Sequence, residues 1–349
     1  MHSRSFTRAM ARIAGIALAA SLMTPAHAHV YCAASATSLH DALVAAQANG
    51  ADDEVRVVTG TYAAAGVGFG YSTAEHHALY ISGGWEPTCT RRYVTTTTTL
   101  DGGDQVRALI LLVVGPGAIR VAGLTFAHGL ATGTNTGAGL YVQSDGEILI
   151  EDDVFVANQG TNFAAGLYAG GNAGSLTVRN NLFIANTAGS DASGELIENG
   201  SEAVLSGNTV IANTATNADG DGNGGLYLGG EAHYTVANNL FWNNGAFDVR
   251  NETLAATFLH NDYAHLFGQA PGSDSEGDID AEPDFAPGLL NLHPAPDSPL
   301  VNAGYDAVPG GLGTFDTGGA TRLQGRHVDI GAYETDVIFA DGLDRGNAP

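Results

Sequence analysis

The 349-residue chain contains no lysine: all 13 of its basic residues are arginine, set against 37 aspartates and glutamates. A surface this acidic repels nucleic acid and anionic membranes, so polybasic binding functions are excluded. Acidic polysaccharides are repelled too, unless divalent cations bridge them to the protein. Cysteine is almost absent, with Cys32 and Cys89 alone. Neither belongs to a Cys-x-x-Cys pair or has the spacing of a metal-binding or catalytic thiol, so both read as structural and one bridge is expected. Neither a Gly-x-Ser-x-Gly elbow nor a His-Glu-x-x-His helix occurs. Outside residues 13–23 no apolar run approaches the length of a membrane-crossing helix.

That one apolar run belongs to a leader. Arg4, Arg8 and Arg12 precede it, and Ala26-His27-Ala28 follows as a small-x-small cleavage site. Residues 1–28 therefore read as a secretory signal peptide, and without a twin-arginine pair the general secretory route is expected. Its removal leaves 10 basic against 37 acidic residues, formally −27. The mature chain is expected outside the cell or on its surface, ahead of the periplasm, as a monomer with no transmembrane segment.

Glycine is abundant, with 48 residues, yet the apolar fraction of 44% argues against disorder. Internal repeats organise the chain. "DVFVAN" (153–158), "NLFIAN" (181–186), "NTVIAN" (208–213) and "NLFWNN" (239–244) align, and "GLTFAHG" (123–129) is a looser upstream copy. A second series keeps step: "GLYV" (139–142), "GLYA" (166–169), "GELI" (194–197) and "GLYL" (225–228). Each unit is short strand, tight turn, short strand. In "SLTVRNNLFIAN" (175–186), Leu176 and Val178 share one face, and the strand breaks at Asn180-Asn181. Such a unit cannot bury its apolar face alone, but stacked copies can. The expected fold is all-β: a single-stranded right-handed parallel β-helix with a short N-terminal capping helix.

Stacking explains the recurring asparagines. Asn158, Asn186, Asn213 and Asn244 occupy one place in successive coils, where their amides can form a hydrogen-bonded ladder. The same parity argument sends Tyr141, Tyr168 and Tyr227 outward, either as an aromatic surface able to hold a sugar chain or as strand-stabilising stacking. Between "NTVIAN" and "GLYL" the turn is lengthened to "TATNADGDGNG" (214–224). Asp219, Asp221 and Asn223, followed by Gly224, open like a calcium loop, but the twelfth position is Gly230 and a strand follows. The loop reads either as a solvated Gly/Asp turn or as a looser Ca2+ site; no other cofactor is expected.

The one helix signal is "TSLHDALVAAQANG" (37–50), with Thr37 or Ser38 as N-cap, an apolar stripe of Leu39, Ala42, Leu43 and Ala46, and Asn49-Gly50 as stop. It is expected to plug the N-terminal end, pinned by a Cys32–Cys89 bridge. "EVRVVTGTY" (54–62) and "ALYISGGW" (78–85) read as first-coil strands.

Here the chain resembles a family. "VVTGTY", "ISGGWEPTC" and the repeats are similar to secreted bacterial proteins of the pectin-lyase-like β-helix superfamily. "EPDFAPGLLNLHPAPDSPLVNAG" (282–304), "DTGGATR" (316–322) and "GRHVDIGAYE" (325–334) resemble the choice-of-anchor Q domain, a surface-protein module; Asn302 stands where that pattern has aspartate. The resulting division is 1–28 signal, 29–100 cap and first coils, 101–281 repeat coils, 282–335 anchor-like module and 336–349 tail. Asp329 and Glu334, with Arg322 and Arg326, are expected to form a charged clasp closing the last coil.

The resemblance implies two functions. The leading one is a non-catalytic exported surface or extracellular protein with a carbohydrate-binding or adhesive role, its partner a polysaccharide or cell-surface glycan. The other is a carbohydrate-active enzyme, a polysaccharide lyase or glycoside hydrolase. An inverting hydrolase needs carboxylates about 6.5–9.5 Å apart. The candidates are Glu151 and Asp152 together with Glu195 and Glu198, and none is assigned outright. Glu195 replaces the leucine of the GLY series, which predicts either a strand twisted outward or a locally irregular coil.

Overall fold

The structure is a computed structural model that describes residues 28–335, apart from 96, 173, 217–221 and 289–290. The body of the leader and the 336–349 tail lie outside the described residues. The chain forms a parallel β-solenoid of about eight turns. Its turns stack into three long parallel sheets of nine, seven and eight strands, with a fourth of four two-residue strands. One turn shows the plan. Ile148–Glu151 lies in the first sheet, Val154–Val156 in the second, Gln159–Gly160 in the short sheet and Leu167–Gly171 in the third; Leu176–Arg179 then returns to the first.

The repeats stack in the register their sequences imply. Val154 pairs with Leu182, Leu182 with Thr209 and Thr209 with Leu240. Alternate residues point inward, so the bore fills with Leu, Ile, Val and Phe. Phe126, Phe155 and Phe183 stack face to face in successive turns, with centroids 5.0 and 4.5 Å apart, adding specific aromatic contact to simple burial.

Corners are made by residues in the left-handed region. Asp152, Asn180, Gly207 and Asn238 form one corner, at φ 55–62°. Ala157, Ala185, Ala212 and Asn243 form the next, at φ 52–57°. Alanine there is strained by about 1–2 kcal/mol, and the residue after each bend compensates. Asn158 donates its amide to Asn186 Oδ1 at 2.9 Å, Asn186 to Asn213 at 2.8 Å and Asn213 to Asn244 at 3.0 Å, forming the expected ladder. A second ladder runs up the first corner. Asn181, Asn208, Asn239 and Asn261 each pass an amide hydrogen to the next, ending on Asp278 Oδ1. Asp153 tops it, fully buried, taking Asn181 Oδ1 on its backbone N–H.

Both ends differ in detail from expectation. The helix is Ala36–Ala46 and its N-cap is Ser35, not Thr37 or Ser38. Ser35 and Ser38 cap each other's backbone, so Ser38 is the third helical residue of a capping box. Leu39, Ala42, Leu43 and Ala46 are buried as expected. Cys32 and Cys89 are bridged, with Cα atoms 5.8 Å apart. An additional strand, His29–Ala33, precedes the helix and pairs with Asp53–Val58.

Residues 282–335 do not close the last coil. The segment 269–281 extends it, with Gly272, Glu276 and Ile279 donating to Ala256, Phe258 and Asn261 carbonyls. The described part of 282–335 has neither helix nor strand and doubles back along the first corner as a strap. Asn180 donates to Leu312 and Phe315 carbonyls, Asn238 to Tyr305, and Thr317 Oγ1 to Asn180 O. His260 Nδ1 lies 2.7 Å from Ala303 O. The strap satisfies two corner carbonyls, Asn180 O from Thr317 Oγ1 and Asn238 O from Gly331 N–H. The clasp exists inside this strap: Arg322 and Glu334 are 3.1 Å apart and both buried. Asp329 accepts from the Asn302 and Thr335 N–H groups, while Arg326 forms no ion pair among the described residues.

Candidate functional site

The four candidate acids do not converge. Glu151, at the end of a first-sheet strand, is held between two arginines, Arg120 and Arg179, the latter at 2.6 Å. Burial pushes its pKa up, but both ion pairs outweigh that and leave it below the ordinary carboxylate value. Asp152 lies at the corner under the strap. Burial, and then the Glu151 charge, raise its pKa to about 7, and its Oδ1 is buried without a partner. Glu195 and Glu198 belong to the third sheet. Glu198 faces outward and is exposed, whereas Glu195 turns into the bore.

Glu195 corrects the expectation of an outward twist or irregular coil. Its strand stays in register, pairing Glu195 with Leu167 on one side and Leu226 on the other. The side chain takes the leucine place, 1% exposed, with Oε2 unpartnered. Burial raises its pKa to about 8, so the carboxyl is neutral at physiological pH. Of the calcium candidates, Asp219 and Asp221 lie outside the described residues. Asn223 is fully buried at the start of the strand Asn223–Gly230. Its amide donates to Leu226 O and its Oδ1 accepts from Gly225 N, so both polar atoms serve the local backbone.

The third sheet's outer face carries the tyrosines. Tyr141 and Tyr168 stack with centroids 4.8 Å apart and planes 7° from parallel. Leu196 occupies the next position, so Tyr227 stands two turns from Tyr168, with the Leu196 turn between them, and does not continue the row. The arginines cover the free ring faces: Arg107 lies 5.4 Å over Tyr141, and Arg250 lies 5.6 Å over Tyr227 while pairing with Asp191 at 2.9 Å. Tyr141 donates to Gln143 Oε1 at 2.6 Å. Burial, then the nearby Glu198 charge, holds the Tyr168 hydroxyl well above the ordinary phenol value.

Glycine two places after a tyrosine lets the ring lie along the sheet. A Cβ at Gly170 would stand 3.1 Å from Tyr168 Oη, and one at Gly229 would stand 2.8 Å from Tyr227 Cε1. The Tyr-x-Gly spacing in "GLYAGG" and "GLYLGG" is the sequence signal for this arrangement.

Two depressions, each about 380 Å³, meet at Tyr168. One is lined by Arg107, Ile110, Thr134, Thr136 and Tyr141. The other is polar, lined by Gln143, Asn172, Glu198, Asn199 and Glu231. Together they form a groove along the solenoid axis with an aromatic wall and amide and carboxylate groups. Sequence reasoning identified its tyrosines and Glu198, but not Arg107, Gln143, Asn172, Asn199 or Glu231, which become neighbours only through stacking. No protein-family model matches the chain, and no curated protein and no solved structure is significantly similar to it.

Proposed function

We propose that this is an exported surface or extracellular β-solenoid whose third-sheet groove binds a neutral glycan chain without cleaving it. The observation that carries this reading is the pair of depressions sharing Tyr168. Their amides and carboxylates present donors and acceptors to sugar hydroxyls, beside an aromatic wall at the spacing of stacked coils. The separation of Glu151 and Asp152 from Glu195 and Glu198 supports binding over hydrolysis. The acidic chain, formally −24 before leader removal, favours a neutral polymer over an acidic one. Export by the signal peptide, pectin-lyase-like kinship and an anchoring role for residues 282–335 belong to the same proposal, and the leader and the resemblances support them.

The test is incubation of the protein with neutral and acidic polysaccharides, with calcium and with chelator. Products are followed by mass spectrometry and binding by calorimetry. Binding to a neutral polymer without products, weakened about tenfold by Tyr168→Ala, is expected, since a hydrogen bond from its hydroxyl contributes about 0.5–1.5 kcal/mol and the ring edge shared by both depressions about as much again. Oligosaccharide products would overturn the reading: an unsaturated end would identify a lyase, and added water a hydrolase.

A further inference from the structure

The polar half of the groove is charged one way. Glu198 and Glu231 both line it and both are exposed, and none of its lining residues is an arginine or a histidine. The arginines nearby on this sheet are engaged elsewhere: Arg250 pairs with Asp191 and Glu252, and Arg107 lines the other depression.

Asn199, the residue after Glu198, lines the same depression and is only 2% exposed. Its Nδ2 lies 3.1 Å from Gly174 O and 3.2 Å from Glu202 O. Both partners are carbonyls that can only accept, so the amide cannot be turned round. Its Oδ1 is thereby left to the depression, with no donor of its own among the described residues. A buried acceptor in that state is costly unless a guest supplies the hydrogen. Gln143 is the converse. Its Oε1 is taken by the Tyr141 hydroxyl at 2.6 Å, so what it offers a guest is its amide hydrogens.

The depression therefore lacks positive charge and donors. Among the described residues no three His, Cys, Asp or Glu side chains are grouped to hold a metal ion. An organic ammonium fits instead, since one such group carries a full positive charge and three donors. We infer that the glycan held in this groove carries a protonated amino sugar, whose ammonium pairs with Glu198 and Glu231 and donates to Asn199 Oδ1. The inference rests on the groove being a glycan site, and it names the sugar its polar half recognises: a hexosamine with a free amine, within an otherwise neutral chain. N-acetylation removes the charge and two of the three hydrogens, so an acetylated unit is disfavoured at this position.

The experiment measures binding of the protein, by calorimetry at mildly acidic pH, to oligosaccharides of β-linked glucosamine and of N-acetylglucosamine of equal length. The glucosamine chain should bind about tenfold more tightly, as two exposed charge pairs and a charge-assisted hydrogen bond allow. An acidic protein attracts any polycation, so two double variants separate the site from the overall field. Glu198→Gln with Glu231→Gln should abolish the preference. Asp41→Asn with Glu282→Gln, which removes two charges at exposed positions elsewhere, should keep it. All four side chains are exposed, so thermal unfolding of both variants should stay near that of the parent. Equal affinity for the two oligosaccharides would overturn the inference while leaving the glycan reading intact if a neutral polymer binds. A preference that survives Glu198→Gln with Glu231→Gln, or that disappears in Asp41→Asn with Glu282→Gln, would overturn it as well. Absence of binding to every polymer, neutral or amino, would overturn the glycan reading and the inference together.

Discussion

Replacing Glu195 by leucine should stabilise the protein, and should do so more as pH rises. The carboxyl has a pKa of about 8 in the folded bore against 4.5 when solvated, a gap corresponding to roughly 5 kcal/mol. The sign follows from which state holds the proton. Below pH 4.5 both states are protonated and the gap contributes nothing. Between 4.5 and 8 the unfolded chain releases its proton and the folded one keeps it, so stability falls through that window and levels off above it. An unpartnered Oε2 adds about 1–3 kcal/mol at any pH. Leucine already fills the same place at 167 and 226, so the cavity accepts it. Glu195→Leu should therefore gain about 1–3 kcal/mol near pH 4.5 and several more by pH 8, with relaxation of the site trimming the total. Glu195→Gln should lose the pH slope while keeping a buried polar group. The assay is urea unfolding from pH 4 to 9, followed by the fluorescence of Trp85 and Trp242. A parent-minus-variant difference that stays flat with pH would refute the argument, and so would a leucine variant less stable than the parent at pH 8.

Two further substitutions probe the architecture. Asn186→Ala removes donations to Asn213 Oδ1 and Phe155 O and strands two donors of Asn158; unfolding should shift by about 3–5 kcal/mol, and a shift under about 1 kcal/mol would mean the ladder is ornamental. Arg322→Met leaves Glu334 buried without its cation. It should cost about 3 kcal/mol, through loss of the buried contacts to Gly331 O and Glu334, and expose residues 282–335 to protease well before the coils; simultaneous cleavage of strap and coils would count against that order.

The coil was legible because its signals are local and repeat. A buried turn amide needs a partner one turn away, so asparagines 27 and 28 residues apart announce both the bend and the stack. The second ladder went unread even where Asn181, Asn208 and Asn239 keep the step of the first, and beyond them its spacing contracts to 22 and then 17 residues, between Asn239, Asn261 and Asp278. Parity alone sent Glu195 inward. Its charge argued outward, and the register of five consecutive paired residues prevailed, with protonation as the consequence. The cap moved to Ser35 because two serines three apart serve each other, which neither does singly. Nothing in 282–335 has a period, so the strap's course along a corner could not be read from sequence. The groove's polar residues come from different turns and gather only when the turns stack.

The strap changes how the protein carries load. A bare stack of coils is held nearest neighbour to nearest neighbour, and tension at one end opens it turn by turn. Here the last described residues lie beside Thr209 and Asn238, with Ala332 and Gly331 bonded to them. A pull at the C-terminus is thus delivered to the flank of the coils that carry Thr209 and Asn238, just before the last described coil, where Arg322–Glu334 and the corner bonds resist it in parallel. The final coil is shielded from that force, and the groove on the opposite side of the bore keeps its shape while the tail is under tension.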